Sequence, residues 1–242
     1  MIERIEDRNK LLTVLKQAPF FAAEMRAAWD AQGQEQFFLI EEKAVLLLRG
    51  GFAMLYGEVT DRPELEMFLR FQNVLCLQSS DWVPGGFEAQ EQWIMRYQTR
   101  TLLPIKPDGY VLEREPSMYQ AAHVCITPDV TDTPPDFWAA QACARRNKCG
   151  GEMIALKHNE EYAAIAGIFA QTEDQAYLAG VVTAKPHRER GCASYLTASL
   201  AQEQAATGKQ VFLVCAPELR PFYKRLGFVE EQKIQQSRKR SE

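Results

Sequence analysis

Residues Tyr177–Ala193 read YLAGVVTAKPHRERGCA. An apolar strand runs to Thr183, a short turn follows with Pro186, Arg188 and Arg190, and Gly191 then opens a helical pattern from Cys192 through Leu200. The first amides of a helix have no internal partners and point outward at the positive end of the helix dipole. A strand, a basic turn and a helix start in this order therefore suit a phosphate-bearing ligand. Gly191 fits that reading, because a residue without a side chain lets the backbone come close to an anion.

The turn Arg188-Glu189-Arg190-Gly191-Cys192-Ala193 has the form R-x-x-G-x-A, and Val182 to Pro186 before it has the form V-x-x-x-P. Together they resemble the acyl-CoA signature of the GCN5-related N-acetyltransferase (GNAT) family, Q/R-x-x-G-x-G/A after a V-x-x-x-P strand end. A second segment, Pro221 to Phe228 (PFYKRLGF), resembles the family's F-Y-x-x-L-G-F, with a helix and the apolar strand Val211 to Cys215 between the two. The resemblance covers roughly the second half of the chain. It implies an α/β fold with a mixed, mostly antiparallel sheet flanked by helices, of the acyl-CoA N-acyltransferase kind. The activity it implies is transfer of an acetyl group from acetyl-CoA, as cosubstrate, to an amine acceptor that is a small molecule or a peptide.

By the same resemblance, the amides of Gly191, Cys192, Ala193 and Ser194 hold the CoA pyrophosphate, and Arg188 and Arg190 pair with its phosphates. Guanidinium groups match phosphate geometry, although either arginine is equally readable as a solvated charge. Val181, Val182 and Thr183 lie where family members pair strand backbone with the pantetheine arm, as an added strand would. Gly180 is consistent with a bulge there. Tyr223 stands where the family often has a tyrosine that protonates the departing thiolate; a phenol with its usual pKa of ~10 carries its proton at neutral pH. Packing alone is the competing reading of Tyr223. Two departures weaken the match: Glu189 replaces a common glycine with a negative charge, and Ala216-Pro217 replaces an asparagine usual before the tyrosine.

No general base is evident. Glu152, Glu173 and His158 are candidates, each also readable as an exposed loop or strand-end group. Cys192 at a helix start has no histidine partner in sequence and reads as a small packed residue rather than a nucleophile. His123 and His187 are isolated, so no metal site is expected. Two rival functions stay open, a non-catalytic CoA-binding module and a protein-interaction module on the same fold.

The 242 residues suffice for one large or two modest domains. A net charge of −4 argues against a general nucleic-acid surface, and the run Ser237 to Arg240 reads as a solvated terminus. No apolar run approaches the ~20 residues a membrane helix needs. Six scattered cysteines without a C-x-x-C pair, and no apolar leader, point to a reducing, cytoplasmic location.

Along the chain, Ile2 to Leu15 has the spacing of an amphipathic helix that Pro19 ends or kinks, and Phe20 to Gln32 a second helix stopped by Gly33. Phe37 to Ile40, Ala44 to Leu48 and Phe52 to Tyr56 read as an antiparallel meander, Arg62 to Gln72 as a helix, and Val74 to Leu77 as a strand. Turn formers crowd Ser79 to Pro116 and place a domain boundary near residue 110; Trp93 to Tyr97 within it fits a strand or a covering element. Ser117 caps a helix to Cys125, Thr131 to Pro135 is a turn, and Asp136 starts a helix that stops near Gly150-Gly151. Met153 to Leu156, Tyr162 to Ala170 and Ala176 to Thr183 are hairpin-linked strands. A helix is expected over Glu218 to Leu226. Residues 111–242 are thus expected to form the acetyltransferase domain. Residues 1–110 repeat the order helix, helix, strands, helix, strand without an R-x-x-G-x-G/A turn, so they read as a degenerate copy that binds no CoA.

Overall fold

The computed structural model describes residues 1–16, 18–31, 35–98, 103–128 and 133–240. The elements, in chain order, are β1 (Ile2–Arg4), α1 (Arg8–Leu15), α2 (Pro19–Asp30), β2 (Gln36–Ile40), β3 (Ala44–Arg49), β4 (Phe52–Gly57), α3 (Arg62–Phe71), β5 (Cys76–Ser79) and β6 (Phe87–Tyr97). There follow β7 (Tyr110–Glu113), α4 (Met118–Cys125), α5 (Pro135–Lys148), β8 (Glu152–His158), β9 (Glu161–Gln171), β10 (Gln175–Thr183), α6 (Cys192–Ala206), β11 (Gln210–Cys215), α7 (Arg220–Arg225) and β12 (Phe228–Lys239). The fold is mixed α/β, with mostly antiparallel strands flanked by helices. It divides into two compact units: Met1–Met95 with Val214–Arg220 and Glu230–Glu242, and Arg96–Leu213 with Pro221–Val229.

In the first unit the strands run in the order β1-β2-β3-β4-β5-β12-β6. β2, β3 and β4 form the expected meander, and β4 then pairs parallel with β5 across α3. α3 starts where Asp61 Oδ1 accepts the Glu64 amide at 3.0 Å, with Pro63 in its first turn. It buries Leu65 and Leu69 against Leu46, Leu48, Leu55 and Leu77. Each such leucine contributes about 1.5–3 kcal/mol through burial.

In the second unit the order is β11-β10-β9-β8-β7. β8, β9 and β10 are an antiparallel meander, and β10 pairs parallel with β11 across α6. The same connectivity therefore occurs in both units. β9 is buried continuously from Tyr162 to Ile168, so both its faces are covered. That explains its small residues: a Cβ on Gly167 would lie 2.8 Å from the Glu152 carbonyl oxygen. α4 and α5 pack Ala121, Ala122, Cys125, Ala139 and Ala142 onto Met153, Ala155 and Ile165.

Several expectations are corrected. Ile2 to Leu15 is not one helix: Ile2–Arg4 pairs with Phe38–Ile40, and Asp7 Oδ1 accepts the Asn9 amide at 2.9 Å to start α1 afterwards. Strand pairing at long range outweighs a helical spacing that rested on few apolar positions. Pro19 opens α2 rather than ending a helix, which suits its fixed φ at a first turn. β5 begins two residues later than read: Cys76, whose amide donates to the Gly51 carbonyl, is the first residue paired with β4, opposite Phe52. Trp93 to Tyr97 belongs to β6, and the turn-rich segment also hides β7, an edge strand on β8. The run Ser237 to Arg240 is not a frayed terminus: β12 pairs Gln235–Arg238 with Cys76–Ser79, and Ser237 is fully buried with its Oγ 3.1 Å from the Leu77 carbonyl. The readings at Gln32-Gly33 and Thr131-Asp132 lie outside the described residues; Pro135 is the first residue of α5.

Candidate functional site

β10 carries the irregularity on which the site depends. Its register against β9 advances three residues, Ala179 to Val182, while β9 advances two, Gly167 to Ile165, so β10 holds one extra residue at Gly180-Val181. This is a β-bulge. Gly180 sits at φ 64°, and a Cβ there would lie 2.8 Å from Phe169 Cζ and 3.3 Å from Trp138 Cζ2. Glycine is thus demanded twice, by the left-handed backbone and by two rings. On its other edge β10 pairs with β11 only from Gln175↔Gln210 to Tyr177↔Phe212. Among the described residues, no ladder continues beyond Tyr177 on that side. Ala179 to Thr183 are half-buried, so a strand edge with unused ladder positions lies within reach of solvent.

At the end of β10 the Thr183 hydroxyl is buried and has no hydrogen-bond partner. Arg188 Nε donates to the Thr183 carbonyl at 3.2 Å, folding the turn back on the strand. Glu189 (φ 64°) and Gly191 (φ 82°) are both left-handed, so the sequence departure at Glu189 is accommodated by an uncommon conformation for a glutamate. Gly191 is the N-cap of α6 without a side-chain cap, and its carbonyl accepts the Tyr195 amide at 3.0 Å. A Cβ on it would meet only Pro107 Cγ, at 3.9 Å, which leaves room over the helix start. Cys192 is buried while Ala193 and Ser194 are half-buried.

Three rings flank this turn. Tyr110 Oη lies 2.8 Å from His187 Nδ1, with ring centroids of Tyr110, His158 and His187 between 4.9 and 5.6 Å apart. Burial pushes the His187 imidazole below its usual range, helped by the nearby His158 and Arg190 charges and opposed by Glu161. Burial, and then the neighbouring Cys192, raise Tyr110; Arg190 opposes both. The Cys192 thiol is pushed up by burial against the pull of the Tyr110 hydroxyl, its own helix amide and Arg190. A buried, protonated thiol is no nucleophile, despite its helix start.

Tyr223 lies in α7, is 7% exposed, and packs its ring against Phe222 and Phe228 at 4.9 and 5.9 Å. Of the three base candidates, Glu152 accepts from Gln204 Nε2 at 2.8 Å and His158 belongs to the ring cluster. Glu173 is exposed in the β9–β10 turn, at the end of β10 opposite Thr183. No group of three metal-ligating side chains occurs among the described residues. The sequence reading missed Tyr110 and the role of Trp138 and Phe169. The aromatic after Pro107-Asp108-Gly109 carried a signal, but only the fold brings it to the turn.

The donor set fits CoA as cosubstrate: an open strand edge, an orphaned hydroxyl and uncapped helix amides follow one another along the chain. A family model described as an acetyltransferase (GNAT) domain matches residues 119–240. Among solved structures, a GCN5-related N-acetyltransferase-like protein from Streptococcus suis is similar at TM-score 0.66 and 13% identity, over 96% of this chain and 98% of that one. A putative GNAT acetyltransferase from Novosphingobium aromaticivorans gives 0.60 at 18% identity, over 92% and 97%. A tandem GNAT protein from the clavulanic acid biosynthesis pathway gives 0.65 at 12%, over 98% and 97%. The sequence matches none of the curated proteins. With its family model spanning half the chain and its open β10 edge running into a glycine-capped helix, the chain belongs to the GNAT acetyltransferase family.

Proposed function

We propose that residues 111–242 form an N-acetyltransferase domain that moves an acetyl group from acetyl-CoA to an amine acceptor in the cytoplasm. The observation that carries it is the bulged edge of β10 beyond Tyr177, leading directly into the uncapped start of α6. The backbone of Val181, Val182 and Thr183 pairs with the pantetheine arm, and the same amides polarise the thioester carbonyl. The amides of Gly191, Cys192, Ala193 and Ser194 hold the diphosphate, with Arg188 and Arg190 beside it. Tyr223 supplies the proton to the departing thiolate. Six free cysteines, none of them in a disulfide, support a reducing compartment.

We further read residues 1–110 as a degenerate copy that takes no CoA. The turn equivalent to the α6 turn precedes α3, and there Glu41 accepts the amides of Thr60 and Asp61 at 3.0 and 2.7 Å. These bonds hold the Glu41 carboxyl below its usual range. Glu41 and Glu42 are left-handed in the β2–β3 turn, as Asn159 and Glu160 are in the β8–β9 turn. The first of the two is a carboxylate in one unit and a neutral amide in the other. An internal anion thus takes the place of a phosphate in the first unit only.

The test is thermal unfolding with and without acetyl-CoA, with Gly191→Glu as the control. Ligand at 100 times its Kd stabilises by ~2.7 kcal/mol, which corresponds to about 5–10 °C for a chain of this size. The shift is expected in the parent, with one CoA bound per chain, and is expected to vanish in the variant. A folded parent that shows no shift at millimolar ligand rules the reading out. Tyr223→Phe is expected to lower turnover by about 10² or more with CoA affinity nearly unchanged; equal turnover removes the acid role and leaves packing.

A further inference from the structure

The ring cluster beside the α6 turn stands next to two cations, Arg190 and Lys106. His187 is fixed by its own amide, which donates to the Ala184 carbonyl at 2.8 Å, and by Tyr110 Oη at 2.8 Å from Nδ1. His158 on β8 lies 5.4 Å away, ring to ring, and contacts Tyr110 at 4.9 Å. Arg190 acts on His187, Tyr110 and Cys192 together, and the Tyr110 carbonyl accepts from Lys106. The opposing charge that reaches His187 is Glu161 on β9. Tyr110 is 3% exposed and its hydroxyl interacts with both His187 and Cys192, the first residue of α6. One buried hydroxyl therefore connects the imidazole to the helix start.

We infer that binding of the CoA diphosphate at the α6 turn takes up a proton on His187, so that affinity rises as pH falls through the imidazole range. This rests on the reading that CoA binds at that turn. In the free protein, burial and the neighbouring cations keep His187 neutral near pH 7. A diphosphate arriving at the turn reverses the local field and favours the imidazolium, whose Nδ1–H then donates to Tyr110 Oη. By linkage, a ligand that raises the affinity for a proton binds better when that proton is present. A rise of about one pKa unit on binding gives an affinity span of about tenfold. Above the raised value the gain is lost, and below the free value it is complete.

The experiment is calorimetric titration with dephospho-CoA from pH 5.8 to 8.2, in two buffers of different ionisation heat. Dephospho-CoA is chosen because a phosphate monoester itself titrates near pH 6. The expected result is a Kd about 3–10-fold tighter at pH 6 than at pH 8, with buffer-dependent heat showing proton uptake between. In the double variant His158→Gln, His187→Gln the Kd should stay flat with pH, whatever its absolute value. A proton NMR titration of the parent supplies a readout that needs no variant: the His187 ring signal should titrate at higher pH with ligand than without. Binding with a flat Kd and no uptake overturns the inference and leaves the CoA reading standing. Uptake that persists in the double variant also overturns it. Absence of binding at every pH, in folded protein, overturns both.

Discussion

Gly180→Val is expected to destabilise the protein by about 2–6 kcal/mol and to abolish acetyl transfer. A left-handed backbone costs a side-chain-bearing residue roughly 1–3 kcal/mol, and overfilling a packed site costs about 1–3 kcal/mol more. Both terms apply, since Gly180 has φ 64° and its Cβ would stand 2.8 Å from Phe169 Cζ and 3.3 Å from Trp138 Cζ2. Relief by leaving the left-handed region would iron out the bulge between Ala179 and Val182 and slip the strand edge on which the proposed site rests. Gly180→Ala should give the smaller part of both effects. Urea unfolding and a turnover assay check the pair. A loss under 0.5 kcal/mol with full turnover would mean that the bulge is not what positions the acyl group.

Gly57→Ala is expected to be more damaging for its size, with a loss on the order of 3 kcal/mol or more. Gly57 has φ 108°, outside the region that side-chain-bearing residues favour. Its Cβ would stand 2.6 Å from the Ala44 Cα and closer still to the Lys43 carbonyl oxygen. These neighbours are backbone and cannot rotate away, unlike the rings around Gly180. The strain falls on the last pair of the β3–β4 ladder, Ala44↔Gly57, next to the turn whose amides Glu41 holds. A midpoint in urea unchanged from the parent would show that the ladder end yields freely.

How much was legible followed from the kind of signal each element left. The start of α6 was readable because a glycine followed by a helical run of small and apolar residues marks a helix start, and α6 begins at Cys192 with Gly191 as its N-cap. Ser117 was readable as a cap, and its side chain accepts the Gln120 amide. β12 was not. Glu230 to Lys239 is nearly all polar, and its buried positions, Ile234 and Ser237, are three apart, so no alternation survives. The partner strand, rather than the local sequence, defines it. Tyr110 likewise could not be placed beside the turn from sequence, since its neighbours His158 and His187 approach it only through the β7–β8 pairing and the short turn at Lys185–His187.

The β5–β12 pairing sets a timetable for the growing chain. Leu77 is joined to Ser237 across 160 residues of sequence. During synthesis, β5 has β4 on one side from early on, but its other edge stays open until β12 leaves the ribosome. An unpaired edge beside a buried leucine invites pairing with other chains. A fragment that stops at residue 110 should therefore be prone to aggregation, and a separately supplied peptide covering 230–240 should suppress it. Nascent chains stalled before residue 230 are where a holding chaperone would be needed most.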